Sequence, residues 1–177
     1  RDGEITLDVC ADLRALGRTP IAVVTAGAKA ILDLGRTLEV LETEGVPVIG
    51  FGCDWFPAFY TASSPFPLSA RVDDVEGLAA VCLAHWMLGL RQAIVVCNPV
   101  PEADALSGSE VELWVSAALE DARAGGISGK ALTPFLLDRL YRMSGGRTLV
   151  ANRALAENNA AVGAALAVAL CAADRSR

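Results

Sequence analysis

Positive charge, lysine and histidine are all scarce in this 177-residue sequence. The 15 basic residues are outnumbered by 21 acidic ones, which gives a net charge of −6 at neutral pH. No basic stripe is present to neutralise a phosphate backbone, so we expect no nucleic-acid partner. The single histidine, His85, argues against a histidine-based metal site and against a Ser-His-Asp triad.

Cysteine pairs at metal-binding or disulfide-forming spacings are also absent. The five cysteines include no Cys-x-x-Cys motif, and three of them lie within apolar stretches. Free thiols of this kind are typical of a reducing compartment, so we expect a cytoplasmic protein. The segment from Thr25 to Lys29 fits neither a dinucleotide-binding nor a Walker glycine loop, so a nucleotide cofactor is not expected.

The hydrophobic runs are shorter than a bilayer requires. The longest fully apolar run towards the end of the sequence, Ala160–Ala173, has 14 residues. A membrane-spanning helix needs roughly 20 such residues. We therefore expect this run to be a buried helix, and we expect no membrane association.

Hydrophobic residues, by contrast, are abundant, at 53% of the chain. The length is enough for one compact α/β domain, here residues 1–177. Apolar β-branched runs, typical of buried parallel strands, alternate with segments of helical periodicity. The predicted strands are residues 20–25, 46–51 and 92–97, and the predicted helices are residues 30–44, 73–90, 109–124, 133–144 and 148–174. This order predicts the α/β class: an α/β/α sandwich with a strand–helix alternating core and a helical C-terminal third.

Lys29 is the first candidate for chemistry, because the sequence has only one other lysine, Lys130. It follows a predicted buried strand and lies at the start of a predicted helix. An amine nucleophile must be neutral, and an ordinary lysine is almost entirely protonated at neutral pH. Burial and the positive end of a helix dipole both disfavour the ammonium form. Lys29 is thus a candidate Schiff-base lysine; the alternative is a lysine that extends to solvent or binds a phosphate.

Two further groups of polar residues could contribute to a site. Asp8 and Asp12 share a face whether their segment is helical or extended, and together could hold a hard divalent cation largely through waters. The alternative is that one of them caps a helix that runs to Gly17. Asn152, Asn158 and Asn159 interrupt an alanine-rich predicted helix, which indicates polar contacts to a ligand, to a loop or to another subunit.

Several strings, in chain order, are similar to those of the pseudouridine-5'-phosphate glycosidase family, also called indigoidine-synthase-A-like. The longest runs from Val24 to Val48 and contains Thr25-Ala-Gly-Ala-Lys29. The others are Pro57-Ala-Phe-Tyr-Thr61, Ser64-Pro-Phe66, Asn98-Pro-Val-Pro101, Gly129-Lys130, Thr133-Pro-Phe-Leu-Leu137, Asn152 and Asn158-Asn-Ala160. The resemblance covers essentially the whole sequence and corresponds to the C-terminal part of the longer family domain.

This resemblance implies a role for several individual residues. The family's covalent lysine falls on Lys29, and its Mn²⁺-binding aspartate falls on Asp8. The substrate-contact positions fall on Cys10, Ala11 and Asp12, where the family normally has Ser-Ala-Asp, and on Asn152, near the bound nucleotide.

The activity implied by the resemblance is reversible cleavage of the C–C glycosidic bond of pseudouridine 5'-phosphate. The products are ribose 5-phosphate and uracil, and the lysine forms a Schiff base with ring-opened ribose. The implied cofactor is Mn²⁺ or another divalent cation, with no nucleotide or redox cofactor. The implied partners are a small phosphosugar or nucleotide substrate and two further copies of the chain in a homotrimer.

Two departures from the family pattern keep alternatives open. Cys10 replaces the usual serine, and Arg153 stands where the family generally has an apolar residue. Either could indicate a C-glycosynthase that joins ribose 5-phosphate to an aromatic natural-product acceptor. The family's general-acid glutamate and a second phosphate-contacting lysine belong to the part of the family before Arg1. A non-catalytic fragment or subunit, with that segment as a separate chain, is therefore a further alternative.

Overall fold

The computed structural model describes residues 10–29 and 31–175. Within these residues four strands are present: β1 (Ala22–Thr25), β2 (Val48–Phe51), β3 (Arg71–Val72) and β4 (Ile94–Cys97). The α-helices of the same part of the chain are α1 (Ala11–Leu16), α2 (Leu34–Thr43), α3 (Val75–Met87), α4 (Gly108–Ala124), α5 (Leu132–Met143) and α6 (Arg147–Arg175).

The strands form one parallel sheet in the order β1-β4-β2-β3. Ala22 pairs with Ile94 and Thr25 with Cys97, so β1 and β4 end together. Of the three connections, those from β1 to β2 and from β3 to β4 are crossovers through α2 and α3, and the one from β2 to its parallel neighbour β3 is the long loop of residues 52–70. The carboxyl ends of all four strands consequently lie at one edge of the sheet.

Helices cover both faces of the sheet, as the alternation of side chains along each strand dictates. Ile94 and Val96 pack with α3 and with Leu166 of α6 on one face. Val95 and Cys97 pack with α1 and α2 on the other face. The predicted α/β/α sandwich is confirmed.

Helices α4 and α5 and the first part of α6 lie beyond the carboxyl edge of the sheet, whereas the later part of α6 packs on one face. Residues of α4, α5 and the first part of α6 share a core cluster with Ala26, Ile31, Tyr60 and Val100, which follow the strands. Arg147, at the start of α6, pairs with Glu110 of α4 and stacks on the Trp114 ring, 4.9 Å from its centroid. The same loops that end the strands are therefore buried against these helices.

The predicted helix over residues 30–44 begins too early. In the structure α2 begins at Leu34, because the Asp33 carboxylate accepts a hydrogen bond of 2.9 Å from Arg36 N and caps the helix there. Lys29 therefore lies in a loop, four residues before this cap, and not at a helix N-terminus.

The prediction that Ala160–Ala173 is a buried helix is wrong for most of its length. Leu166 is buried, but most of the other side chains of this run are partly or fully exposed. The run is apolar because it is rich in alanine, but only one stripe of it, with Leu166, Ala169 and Leu170, packs in the cluster shared with β1 and α3. By length and composition Arg147–Ala173 could cross a membrane, with a mean hydropathy of 1.4. That is weak evidence for a span, because a helix that packs within a domain meets the same criteria.

Candidate active site

The topology of the sheet predicts a ligand-binding crevice at the carboxyl ends of β1 and β4. These two strands are neighbours, but the chain leaves β1 towards α2 on one face of the sheet and leaves β4 towards α4, α5 and α6. Open parallel sheets bind ligands where neighbouring connections diverge in this way. The segment that carries Lys29 and the segment that begins with Asn98 border this crevice.

The segment after β1 is held against a second loop. Thr25 Oγ1 donates a hydrogen bond to Gly27 O (3.0 Å), and Phe59 N donates to Ala26 O (2.9 Å). Gly27 also forms an isolated bridge with Ala58. After these contacts the chain turns, with Leu32 N donating to Lys29 O (2.8 Å). The backbone on both sides of Lys29 is therefore fixed, whereas its side chain is exposed.

The second loop is itself in an uncommon conformation. Phe59 has a φ of +67°, in the left-handed region that residues with side chains rarely adopt. Its ring packs edge-to-face with Tyr60, at a centroid distance of 4.9 Å. Tyr60 is 5% exposed, and burial raises the pKa of its phenol. The packing of these rings and the bond to Ala26 O offset the backbone strain at a position that supports the Lys29 segment.

Asparagines join the end of β4 to helix α6. Asn98 is 5% exposed, and its backbone N–H donates to Thr25 O (2.8 Å). Its side-chain Nδ2 donates to Asn159 Oδ1 (3.0 Å), and Asn158 Nδ2 donates to Pro99 O (3.1 Å). The sequence left open whether Asn158 and Asn159 contact a ligand, a loop or another subunit. The structure shows hydrogen bonds from these residues to a loop.

Asn152 lies on the part of α6 that extends beyond the sheet. Gly163 faces Val24 of β1, and Asn159 lies at the carboxyl edge beside Asn98. Asn152 precedes Asn159 by two helical turns, so it shares that side of α6 about 10 Å further from the sheet. The side chain is exposed, on the side of the crevice that β4 borders.

The predicted substrate-contact segment lies at the start of α1. Cys10 precedes the first turn, Ala11 begins the helix and Asp12 lies in the first turn, with all three exposed. Asp12 is not a helix cap, because Cys10 occupies that position. Asp8 lies outside the described residues. Among those residues no hydrogen bond or ion pair joins Cys10, Asp12 or Asn152 to Lys29, and no three metal-binding side chains cluster.

A cavity of about 480 Å³ opens beside the turn that follows Lys29. It is lined by residues 32–34, by Thr61, Ser63 and Ser64, and by the start of α4. None of the site residues predicted from the sequence lines this cavity. The carboxyl ends of β1 and β4, next to the segment that carries Lys29, are therefore the better candidate for a substrate site.

Residues 1–169 match the model of a protein family described as indigoidine synthase A like protein. The chain belongs to this family. It is 55% identical, over 96% of its length, to the pseudouridine-5'-phosphate glycosidase of Methylobacterium nodulans. It is 50% identical, over 94% of its length, to that of Geobacillus kaustophilus. The matched regions are 50% and 56% of these relatives, so the chain spans about half the length of the curated relatives it matches.

Solved structures of the family show the same fold. The crystal structure of the prealnumycin C-glycosynthase AlnA in complex with ribulose 5-phosphate matches all of this chain, and 58% of its own, with a TM-score of 0.92 and 36% identity. An indigoidine synthase A-like protein from Thermotoga maritima matches 93% of this chain, and 53% of its own, with a TM-score of 0.78 and 34% identity. The fold predicted from the sequence is thus the fold of the family.

Proposed function

We propose that the whole protein is a pseudouridine-5'-phosphate glycosidase, which reversibly cleaves the C–C glycosidic bond to give ribose 5-phosphate and uracil. The observation that carries the proposal is the position of Lys29. It is an exposed amine on a hydrogen-bonded segment that follows β1, at the carboxyl ends of two neighbouring parallel strands, where such sheets bind ligands. The curated relatives at 55% and 50% identity, both named as this glycosidase, support it.

Lys29 acts as the nucleophile. Opening of the ring breaks the C1'–O4' bond, leaves the proton on O4' and makes C1' doubly bonded to C5 of uracil. The Lys29 amine adds to this C1', and the bond from C1' to C5 of uracil then breaks. C5 takes a proton as that bond breaks, and C1' remains joined to Lys29 as an iminium ion, which water hydrolyses to the aldehyde of ribose 5-phosphate. The reverse sequence makes the bond. The resemblance assigns proton donation to a glutamate outside these 177 residues.

Cys10, Ala11, Asp12 and Asn152 are the proposed substrate-binding residues. The exposed first turn of α1 offers a thiol, a backbone and a carboxylate, and Asn152 offers an amide from α6. These groups can accept and donate hydrogen bonds to hydroxyls of the sugar and to the edge of a base.

The proposed metal is Mn²⁺ or another hard divalent cation, held by Asp8. The chemistry of the available donors fits such an ion, because Asp12 supplies an exposed carboxylate in the same segment and hard cations prefer oxygen ligands. Since the described residues contain no cluster of three metal-binding side chains, waters would complete the coordination shell. A bound ion supplies positive charge and ordered water beside substrate oxygens; no nucleotide or redox cofactor is proposed.

A C-glycosynthase is the second candidate. The observation that favours it is the similarity to AlnA, itself a C-glycosynthase, over the whole chain at a TM-score of 0.92. Cys10 and Arg153, which depart from the family pattern, are both exposed. In this alternative the same Lys29 adduct is attacked by an aromatic acceptor in place of uracil.

The proposed assembly is a homotrimer in the cytoplasm. Support for an assembly comes from apolar side chains that this chain leaves uncovered on α6, where Leu149, Val150 and Val168 are 49%, 57% and 71% exposed. Support for a reducing compartment comes from the cysteines, all of which are free. Burial raises the pKa of Cys82 to about 11, which makes this thiol unreactive.

Uracil release from pseudouridine 5'-phosphate by the whole protein tests the proposal. We expect turnover by the wild type and a rate below about one-thousandth of it in Lys29→Arg, because a guanidinium stays protonated and cannot form the imine. We expect Cys10→Ser to keep or raise uracil release. A wild type that transfers ribose 5-phosphate to an aromatic acceptor but does not release uracil, with no uracil release gained in Cys10→Ser, would favour the C-glycosynthase. No turnover of either substrate would favour a non-catalytic protein.

Titration with Mn²⁺ after chelation tests the metal site. We expect Asp8→Ala to weaken the apparent metal affinity by at least about 10-fold while the protein stays folded. Asp33→Ala is the matched control: it should lower the free energy of unfolding by about 1 kcal/mol through loss of the α2 cap and leave the metal response unchanged. An Asp8→Ala protein that unfolds yet keeps its metal response would show that Asp8 has a structural role.

A further inference from the structure

Asn98 extends the pairing of β1 and β4 by one residue. The last paired residues of these strands are Thr25 and Cys97, and Asn98 N donates to Thr25 O at 2.8 Å. Thr25 is also the residue whose hydroxyl bonds Gly27 O, at the start of the turn to Lys29. The backbone of Asn98 is thereby fixed to the base of the Lys29 segment.

The side chain of Asn98 connects this point to α6. Its bond to Asn159, together with the bond from Asn158 to Pro99 O, joins two consecutive residues of the helix to two consecutive residues after β4. Two directional bonds at one point fix both the rotation of α6 about its axis and its translation along it. The apolar contacts of α6 fix these less well, because hydrophobic burial is non-directional.

The orientation of α6 at Asn159 determines where Asn152 lies. Seven residues at about 100° each bring Asn152 to nearly the same side of the helix as Asn159. A rotation or slip of α6 at Asn159 would therefore move Asn152 relative to the Lys29 segment. Displacements of about 1 Å in a positioned group can lower rates about 100-fold.

We propose that Asn98 is a positioning residue, which through Asn159 holds α6, with Asn152, in register with the Lys29 segment. This inference rests on the proposed function. Asn98 is 5% exposed and forms a hydrogen bond to Asn159, so its role is to hold the two sides of the crevice together and not to contact the reacting atoms. Neither Asn98 nor Asn159 is among the site residues that the resemblance assigns.

Stability alone is a poor explanation for the pair. Asparagine is a weaker helix former than alanine by a few tenths of a kcal/mol, and α6 carries two in succession. Replacing both partners of a buried hydrogen bond by apolar groups of similar shape can be nearly neutral for stability, whereas removing one partner leaves a buried polar group unsatisfied. A double substitution can therefore separate positioning from stability.

The test measures kcat for uracil release at saturating pseudouridine 5'-phosphate, alongside the melting temperature, in the whole protein. We expect Asn98→Leu combined with Asn159→Leu to lower kcat about 10- to 100-fold with little change in melting temperature. Asn159→Ala leaves Asn98 without this partner, but the better helix propensity of alanine at a half-buried position offsets part of that cost; kcat should fall as much, with a lower melting temperature. Glu157→Ala, on the exposed side of the same turn, should match the wild type.

A conservative variant that keeps kcat shows whether the hydrogen bond of Asn159 or only the volume of its side chain is needed. Asn159→Asp keeps an oxygen that accepts from Asn98 Nδ2, so we expect its kcat to stay within about threefold of the wild type. Wild-type kcat in the double leucine variant, or an Asn159→Asp variant as impaired as Asn159→Ala, would overturn the inference while the proposed function stands. Absence of uracil release in the wild type itself would overturn both.

Discussion

At Gly27 the backbone has a φ of +80°, and a Cβ built there would lie 1.8 Å from Pro57 O. The segment that carries Lys29 therefore approaches the Pro57–Tyr60 loop more closely than any side chain allows. Gly52 offers a comparison, because its φ of +65° is similar but a Cβ there would have no atom within 4 Å. The two glycines separate the cost of the left-handed conformation from the cost of a steric clash.

Alanine at each position should show this difference. Both substitutions pay the left-handed penalty, about 1–2 kcal/mol, but Gly27→Ala must also displace the backbone of Pro57. We expect Gly27→Ala to lower the free energy of unfolding by about 1–3 kcal/mol more than Gly52→Ala does. Urea denaturation of the two variants measures this. Equal losses would contradict the close approach of the two loops.

At the scale of the elements, composition and periodicity predicted the alternation of strands and helices. The boundary of α2 was missed, because its start depends on the bond between Asp33 and Arg36 N and not on where apolar periodicity begins. The strand β3 was missed because it has two residues, Arg71 and Val72, without a hydrophobic run. The order of the strands in the sheet was not predicted, because it depends on which face of the sheet each crossover connection packs against.

The site was predicted in a similar, partial way. The scarcity of lysine and the strings shared with the family indicated Lys29, which lies next to the predicted crevice. The expected burial and helix N-terminus are wrong, because its side chain is exposed and α2 begins only at Leu34. Asn98 was missed as a site residue, because its partner is 61 positions away in the sequence. The signal that could have found it was the pair Asn158-Asn159 in an alanine-rich helix, which required a polar partner elsewhere.

In the whole molecule, the proposed site lies between two structural layers. The carboxyl edge of the sheet carries Lys29 and Asn98, and the helical C-terminal third carries Asn152 above them. The chain spans about half the length of its curated relatives, and it is 55% identical to one of them over 170 residues. In this arrangement Lys29 is proposed to form a covalent imine with the open-chain sugar.

Reductive trapping of the imine tests directly whether Lys29 bonds to the sugar. The whole protein is incubated with ribose 5-phosphate and borohydride, which converts an imine to a stable secondary amine, and the modified peptide is then identified by mass spectrometry. We expect one sugar adduct on Lys29, and none in Lys29→Arg, because a guanidinium cannot form the imine. An adduct on Lys130, or one that persists at the same level in Lys29→Arg, would show that Lys29 is not the residue that forms the imine.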